Sequence, residues 1–343
     1  MSSLGAIMAS EIAETPKVFK AIFDNNAAFN AVKDVLVDEK IQSVLVLARG
    51  TSDNAAHYLK YLIETQIGLP VGLTSPSSVT VYESKLKYSK TLVVAISQSG
   101  QSPDLVKFAT AARQAGAYLI SMTNDDSSPL AQVAHNHFSL LAGPELAVAA
   151  TKSYNAQLLI SYLLVASWTG KKINGQQIIS EATRIAATTD LVSKAVAEVS
   201  REREVVILGR GFAYANAHET ALKIQETLKI PVSSFSSADY LHGPISSLHE
   251  NSRIIFLAPA GVATAGMAAT VTRIREITPH IYWIGRGFEL KSGEILLGGA
   301  SLPETLAVIA DSIVLQQFAM LLALKNGLNP DAPIGLLKVT KTK

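Results

Sequence analysis

The chain has 343 residues, 48% hydrophobic and only 17% charged, and its 30 Lys+Arg against 28 Asp+Glu leave a net charge of +2. Length alone suggests two domains of ordinary size, and without a block of five or more like charges nothing advertises a nucleic-acid or membrane surface. Cysteine is absent, which excludes disulfide scaffolds, thiolate metal sites, iron–sulfur clusters and cysteine nucleophiles.

The N-terminus carries Glu11 and Glu14 and lacks a basic patch followed by an apolar run, so it does not read as a secretory signal. Residues 1–36 are expected to form a helical segment. Ser43–Leu47, Thr91–Ile96 and Ala117–Ile120 have strand length, β-branched content and no polar alternation, the mark of strands buried on both faces. Between them, Asn54–Thr65 and Pro103–Ala115 read as helices. Leu158–Trp168, the longest apolar stretch in this reading, is about half the ~20 residues that span a bilayer and predicts a buried helix. It falls within a helical stretch near Asn155 to Glu198 that is expected to join the two halves. The pattern resumes with strands at Glu204–Leu208, Arg253–Leu257 and Ile281–Ile284. Strand and helix in alternation predict an α/β fold with parallel sheets. A soluble, cytoplasmic protein is the expectation, and its low charge fits a surface partly covered by a second subunit.

The two halves also match residue by residue. Leu47-Ala-Arg-Gly50 aligns with Leu208-Gly-Arg-Gly211, an offset of 161, and both Leu69-Pro-Val71 with Ile230-Pro-Val232 and Gly100 with Gly261 keep that offset. The period is too long for a solenoid and points to two copies of one domain. Expected boundaries are 37–170 for the first copy, 171–198 for a helical connection, 199–330 for the second copy and 331–343 for a tail. The copies differ where it matters: Ser97-Gln-Ser-Gly-Gln-Ser102 after the second strand becomes Ala258-Pro-Ala-Gly-Val-Ala263. Every hydroxyl is lost, although the glycine that shapes the turn remains, so copy one is expected to bind something there that copy two does not.

A loop at the carboxyl end of a parallel strand, opening a helix, presents backbone N–H groups and the positive end of the helix dipole. Ser97, Gln98, Ser99 and Ser102 add side-chain donors, and Gly50-Thr51-Ser52 adds more from the adjacent turn. Neutral donors with few cations suit a phosphate monoester, against the plainer reading as helix N-caps. No Walker A sequence is present, and Tyr214 replaces the third glycine that a dinucleotide fingerprint after Gly209-Arg-Gly211 would need.

These residues resemble the sugar isomerase (SIS) domain family, and the chain is similar throughout to the tandem-SIS isomerase half of glutamine–fructose-6-phosphate amidotransferases. The motifs are Arg49-Gly-Thr-Ser52, Ser97–Ser102, Glu145–Lys152, Ala217–Glu226, His242-Gly-Pro244 and Leu336-Leu-Lys338. Arg49 stands where the family usually has cysteine, Gln101-Ser102 where it has Glu-Thr, Leu241 where it has lysine, and Asp239 where it has glutamate. The resemblance implies a flavodoxin-like three-layer fold in each copy. It implies a sugar phosphate held by Thr51, Ser52, Ser97, Gln98, Ser99 and Ser102, with Gly50 and Val148 as further substrate contacts. It makes Glu226 the base between C1 and C2, His242 the ring-opening residue supplied by a neighbouring subunit of a homodimer, Lys338 the Schiff-base lysine, and Lys223 with Glu219 a second acid/base pair.

From spacing alone, Glu219, Lys223 and Glu226 fall on one helix face, where a solvated Glu–Lys–Glu stripe is the commoner outcome. His135 and His137 lack a carboxylate cluster, and no metal or cofactor is expected. His57 and His218 keep the offset of 161 and read as structural. A chain without a thiol cannot release ammonia from glutamine through cysteine, so the expected reaction runs toward deamination: glucosamine 6-phosphate and water to fructose 6-phosphate and ammonia. Galactosamine 6-phosphate, a fructosamine phosphate or a plain phosphosugar are alternative substrates. From another class, a phosphosugar sensor without turnover is the alternative, although the roughly 35 residues before the first strand leave little room for a DNA-binding module.

Overall fold

The computed structural model describes residues 4–199 and 204–338. The first three residues of the expected 1–36 segment and the last five of the expected tail lie outside them. The chain divides into two compact units, one formed by Lys17–Glu145, Lys152–Gly175 and Leu337–Lys343, the other by Met1–Pro16, Leu146–Thr151 and Gln176–Leu336.

The unit containing Lys17–Glu145 is built on β1 (Ser43–Leu47), β2 (Val71–Leu73), β3 (Thr91–Ile96), β4 (Tyr118–Thr123) and β5 (Asn136–Ser139), in the order β2-β1-β3-β4-β5. All neighbours are parallel. Every residue of β3 is buried, which explains its unbroken apolar run: a central parallel strand is covered on both faces. Helix Pro103–Gln114 covers one face, setting Leu105, Phe108, Ala109 and Ala112 against Leu47, Val93, Ala95 and Leu119. Helix Thr51–Gln66 packs against helix Lys152–Trp168, which is buried from Lys152 to Ala166. The strand order reverses between β1 and β3, so the turns that follow them open side by side at the carboxyl edge of the sheet, where such folds bind ligands.

The other unit repeats the design with β6 (Val205–Gly209), β7 (Ser233–Ser236), β8 (Arg253–Leu257), β9 (Ile281–Ile284) and β10 (Ile295–Gly298), ordered β10-β9-β8-β6-β7. Val44 pairs with Leu92 across β1 and β3, and Val205 pairs with Arg253 across β6 and β8. Both partners shift by 161, so the sequence repeat is a structural repeat. Its core stacks Phe256 on Trp283, ring centroids 4.7 Å apart, among Val206, Ile254 and Ile274.

Strands β2, β5, β7 and β10 were not predicted. They have three or four residues each, and β5 and β7 carry His137 and Ser233-Ser234, which interrupt any apolar pattern. Helix Glu304–Lys325 was also missed, and it corrects the expectation that Leu158–Trp168 is the longest apolar element. It has 22 residues and a mean hydropathy of 1.8 over its most apolar window, long and apolar enough to cross a membrane, with 94% of that window buried inside the protein. Asp311 and Gln316-Gln317 break its apolar run in the sequence, yet all three are buried.

Candidate active site

The two turns of the first sheet bring their hydroxyls into a consistent state. Gly100 N–H donates to Ser97 Oγ at 3.1 Å, Gln101 N–H to Ser99 Oγ at 3.3 Å, and the Gln157 amide to Ser52 Oγ at 3.0 Å. A hydroxyl has one proton and two acceptor sites. Each of these three accepts from the protein and keeps its proton to give away, which suits a ligand that only accepts. Ser102 sits at the N-cap of helix Pro103–Gln114 but makes no side-chain cap bond, so the plain capping reading does not account for it. Gly50 caps helix Thr51–Gln66 at φ 56° with no side chain to occupy the turn. Gly100 adopts φ 64°, and a Cβ there would run into the Ser128 side chain, so this turn requires glycine. Thr51 and Gln98 are half-buried beside them, and the Gln98 carbonyl accepts the Asn124 N–H at 3.0 Å.

The charges nearby are paired. Arg49 Nε lies 3.1 Å from Asp104, whose side chain is almost fully buried, so the residue that departs from the family motif has a partner at the second residue of helix Pro103–Gln114. Lys338 Nζ lies 3.0 Å from Glu145 Oε2. The Glu145 carboxylate is wholly buried and also accepts the Ser153 N–H at 3.0 Å and the Ser153 hydroxyl at 2.7 Å. The tail lysine is therefore docked, not merely solvated.

In the other unit, helix Ala213–Leu228 carries Glu219, Lys223 and Glu226. Burial overturns the solvated-stripe reading: Glu219 and Lys223 are each 1% exposed. Lys223 Nζ stands 2.5 Å from Glu226 Oε2 and 3.5 Å from Glu219 Oε1. Glu226 alone keeps appreciable exposure, 21% of its side chain, as a base that must reach a ligand would. His242 is exposed, between helix Ser237–Tyr240 and the 3-10 turn Pro244–Ser247, next to Gly243 at φ 137°. Val148 N–H donates to the Asp331 carbonyl at 3.0 Å, anchoring the bend at 147–149.

The second copy shows why its turn carries no hydroxyls. Ala263 N–H donates to Glu304 Oε2 at 3.1 Å, so this chain's own carboxylate takes the donor that an anion would use. Gly261 keeps the place of Gly100 but not its conformation. Its backbone is extended, φ 173°, and a Cβ would collide with Glu304. The sequence expectation that one glycine shapes both turns is thus corrected.

Four of the remaining histidines, His57, His135, His137 and His218, are held within the fold. His137 bridges Ser121 Oγ at 2.9 Å and Asp126 at 3.1 Å, with Ser121 fully buried. His135 stacks on Tyr118 and accepts the Leu119 N–H at 2.9 Å, and burial lowers its pKa. His218 joins Ser234 at 2.9 Å, and burial, then the charge of Lys60, lowers the pKa of His57. Among the described residues no group of three or more His, Cys, Asp or Glu could hold a metal ion. The sequence did not single out Gln157, Glu145 or Glu304 for their contacts, because each acts through a partner more than forty residues away.

Known proteins share this construction. The SIS domain family matches residues 36–167 and 198–273. The isomerizing glutamine–fructose-6-phosphate aminotransferase of Pyrococcus horikoshii is 30% identical over 342 residues, covering 96% of this chain and 57% of that relative. The chain thus spans little more than half the length of such relatives. A candidate phosphosugar isomerase from Silicibacter pomeroyi superposes with a TM-score of 0.84 at 29% identity, over 95% of this chain and 99% of that one. The glucosamine-6-phosphate deaminase of Thermotoga maritima shares the fold, with a TM-score of 0.77 at 17% identity over 98% of this chain and 100% of the other.

Proposed function

Because the chain belongs to the SIS domain family, we propose that it is a phosphosugar enzyme of the aldose–ketose isomerase class, and within that class a deaminase. It converts glucosamine 6-phosphate and water to fructose 6-phosphate and ammonia. The observation that carries this reading is the state of Ser52, Ser97 and Ser99, each accepting a protein N–H and so holding its proton for an acceptor ligand, in the one copy whose turn is not closed by Glu304.

The phosphate takes the donors of the two turns, with Ser102, Gln98 and Thr51 beside them. His242 protonates the ring oxygen and opens the sugar. Its exposure in the single chain is what a residue serving a second copy would show, so the active form is a homodimer. Glu226 removes the C2 proton and returns it to C1, converting the open-chain amino aldose through an enolamine to a fructosimine. Water adds to the imine carbon and ammonia leaves. Lys223, 2.5 Å from Glu226, orients the carboxylate, and Glu219 balances the Lys223 charge. Lys338 is held by Glu145 and serves the carbonyl carbon. With no cysteine in its 343 residues, the chain has no thiol of its own to draw ammonia from glutamine. Deamination needs only water.

The test is ammonia release by pure protein from glucosamine 6-phosphate, alongside galactosamine 6-phosphate and a fructosamine phosphate. Ammonia from the first supports the full reading, and ammonia only from another moves the substrate within the class. None from any, with the fold intact, refutes deamination.

A further inference from the structure

We infer that Gln157 is a positioning residue for the phosphate anchor: its amide holds the Ser52 hydroxyl so that the hydroxyl proton is kept for the ligand. This rests on the phosphate reading of the two turns. Gln157 is fully buried in helix Lys152–Trp168, flanked by buried Ala156, Leu158, Leu159 and Ile160. Its Nε2 donates to Ser52 Oγ at 3.0 Å, and Ser52 itself is 6% exposed.

The other end of the amide makes the case. Gln157 Oε1 is buried with no hydrogen-bond partner among the described residues. A buried carbonyl oxygen without a donor is costly, and a methionine or leucine would fill similar space in this apolar helix without that cost. Packing therefore does not call for an amide here, whereas orientation does. An incoming N–H occupies one acceptor site of the hydroxyl and repels its proton, leaving it for another acceptor. Low local polarity strengthens the effect. Both residues stand on packed helices, Thr51–Gln66 and Lys152–Trp168, so the hydroxyl is set before a ligand arrives. In the second copy, the position equivalent to Ser52 at the offset of 161 is Ala213, buried and without a hydroxyl to orient.

The test is a double-mutant cycle read by calorimetric titration with fructose 6-phosphate, with melting curves on every variant. Ser52→Ala and Gln157→Met are each expected to weaken binding about tenfold, the size of one hydrogen bond to a charged ligand. The double variant is expected to bind no worse than Ser52→Ala alone, because Gln157 acts only through that hydroxyl. Gln157→Leu repeats the cycle should the methionine variant fold poorly. Additive losses in the double variant would show that Gln157 acts through general packing and would overturn the inference while leaving the phosphate site standing. A wild-type chain that binds no fructose 6-phosphate would overturn the phosphate reading and the inference with it.

Discussion

Replacing Asp311 with asparagine should stabilise the protein at neutral and alkaline pH. Asp311 is 3% exposed in helix Glu304–Lys325 and accepts the Ala300 N–H at 2.7 Å. Burial pushes its pKa from 3.8 up to about 7, against the smaller pulls of that hydrogen bond and of Arg184. Arg184 cannot give its full charge, because it is also engaged by Glu181 at 2.7 Å and by the Gly299 carbonyl at 2.9 Å. A folded-state pKa above the unfolded value means that the fold binds this proton more tightly than the open chain. Stability then falls as pH rises from about 4 to about 7 and levels off above. A shift of about three units at ~1.4 kcal/mol each sets the cost near 4 kcal/mol as an upper value. Asparagine keeps an oxygen for Ala300 and removes the charge. Urea unfolding followed by circular dichroism should find D311N more stable than wild type by about 2–4 kcal/mol at pH 8, with the gap closing toward pH 4. A difference independent of pH, or a less stable variant at pH 8, would refute the reasoning.

Two further predictions concern the buried helix face. Lys223→Met removes the cation that stands between Glu219 and Glu226 and leaves the buried Glu219 carboxylate without it. The expected loss is about 3 kcal/mol of stability, visible as a lower melting temperature, and unchanged melting would contradict the pairing. Glu226→Gln should keep fructose 6-phosphate binding within about twofold while turnover falls on the order of 10²–10⁴-fold. Turnover that survives would remove Glu226 as the base.

Much of this architecture is legible in the sequence because buried parallel strands announce themselves. β1, β3, β8 and β9 were read with their bounds because both faces are covered and polar alternation is absent. The edge strands β2 and β7 and the outer β5 and β10 escaped, being short and partly polar. Helix Glu304–Lys325 escaped because its buried Asp311, Gln316 and Gln317 look like surface residues until Ala300, Thr151 and Ile185 are placed against them. The hydroxyl-rich turns were legible through their loss in the second copy. The partner of the Ser52 hydroxyl was not, since it is Gln157, a residue that in sequence belongs to an apolar helix. Spacing aligned Glu219, Lys223 and Glu226, but helix periodicity cannot tell whether a charged face meets solvent or protein, and here only burial decides.

The most direct measurement uses glucosamine 6-phosphate carrying deuterium at C2, incubated with the intact protein in water and followed by NMR together with an ammonia assay. Proton transfer by one base between adjacent carbons predicts fructose 6-phosphate with part of the deuterium at C1 and the rest exchanged to solvent, and one ammonia for each sugar consumed. Sugar consumed without ammonia, or no consumption by folded protein, would contradict isomerising deamination.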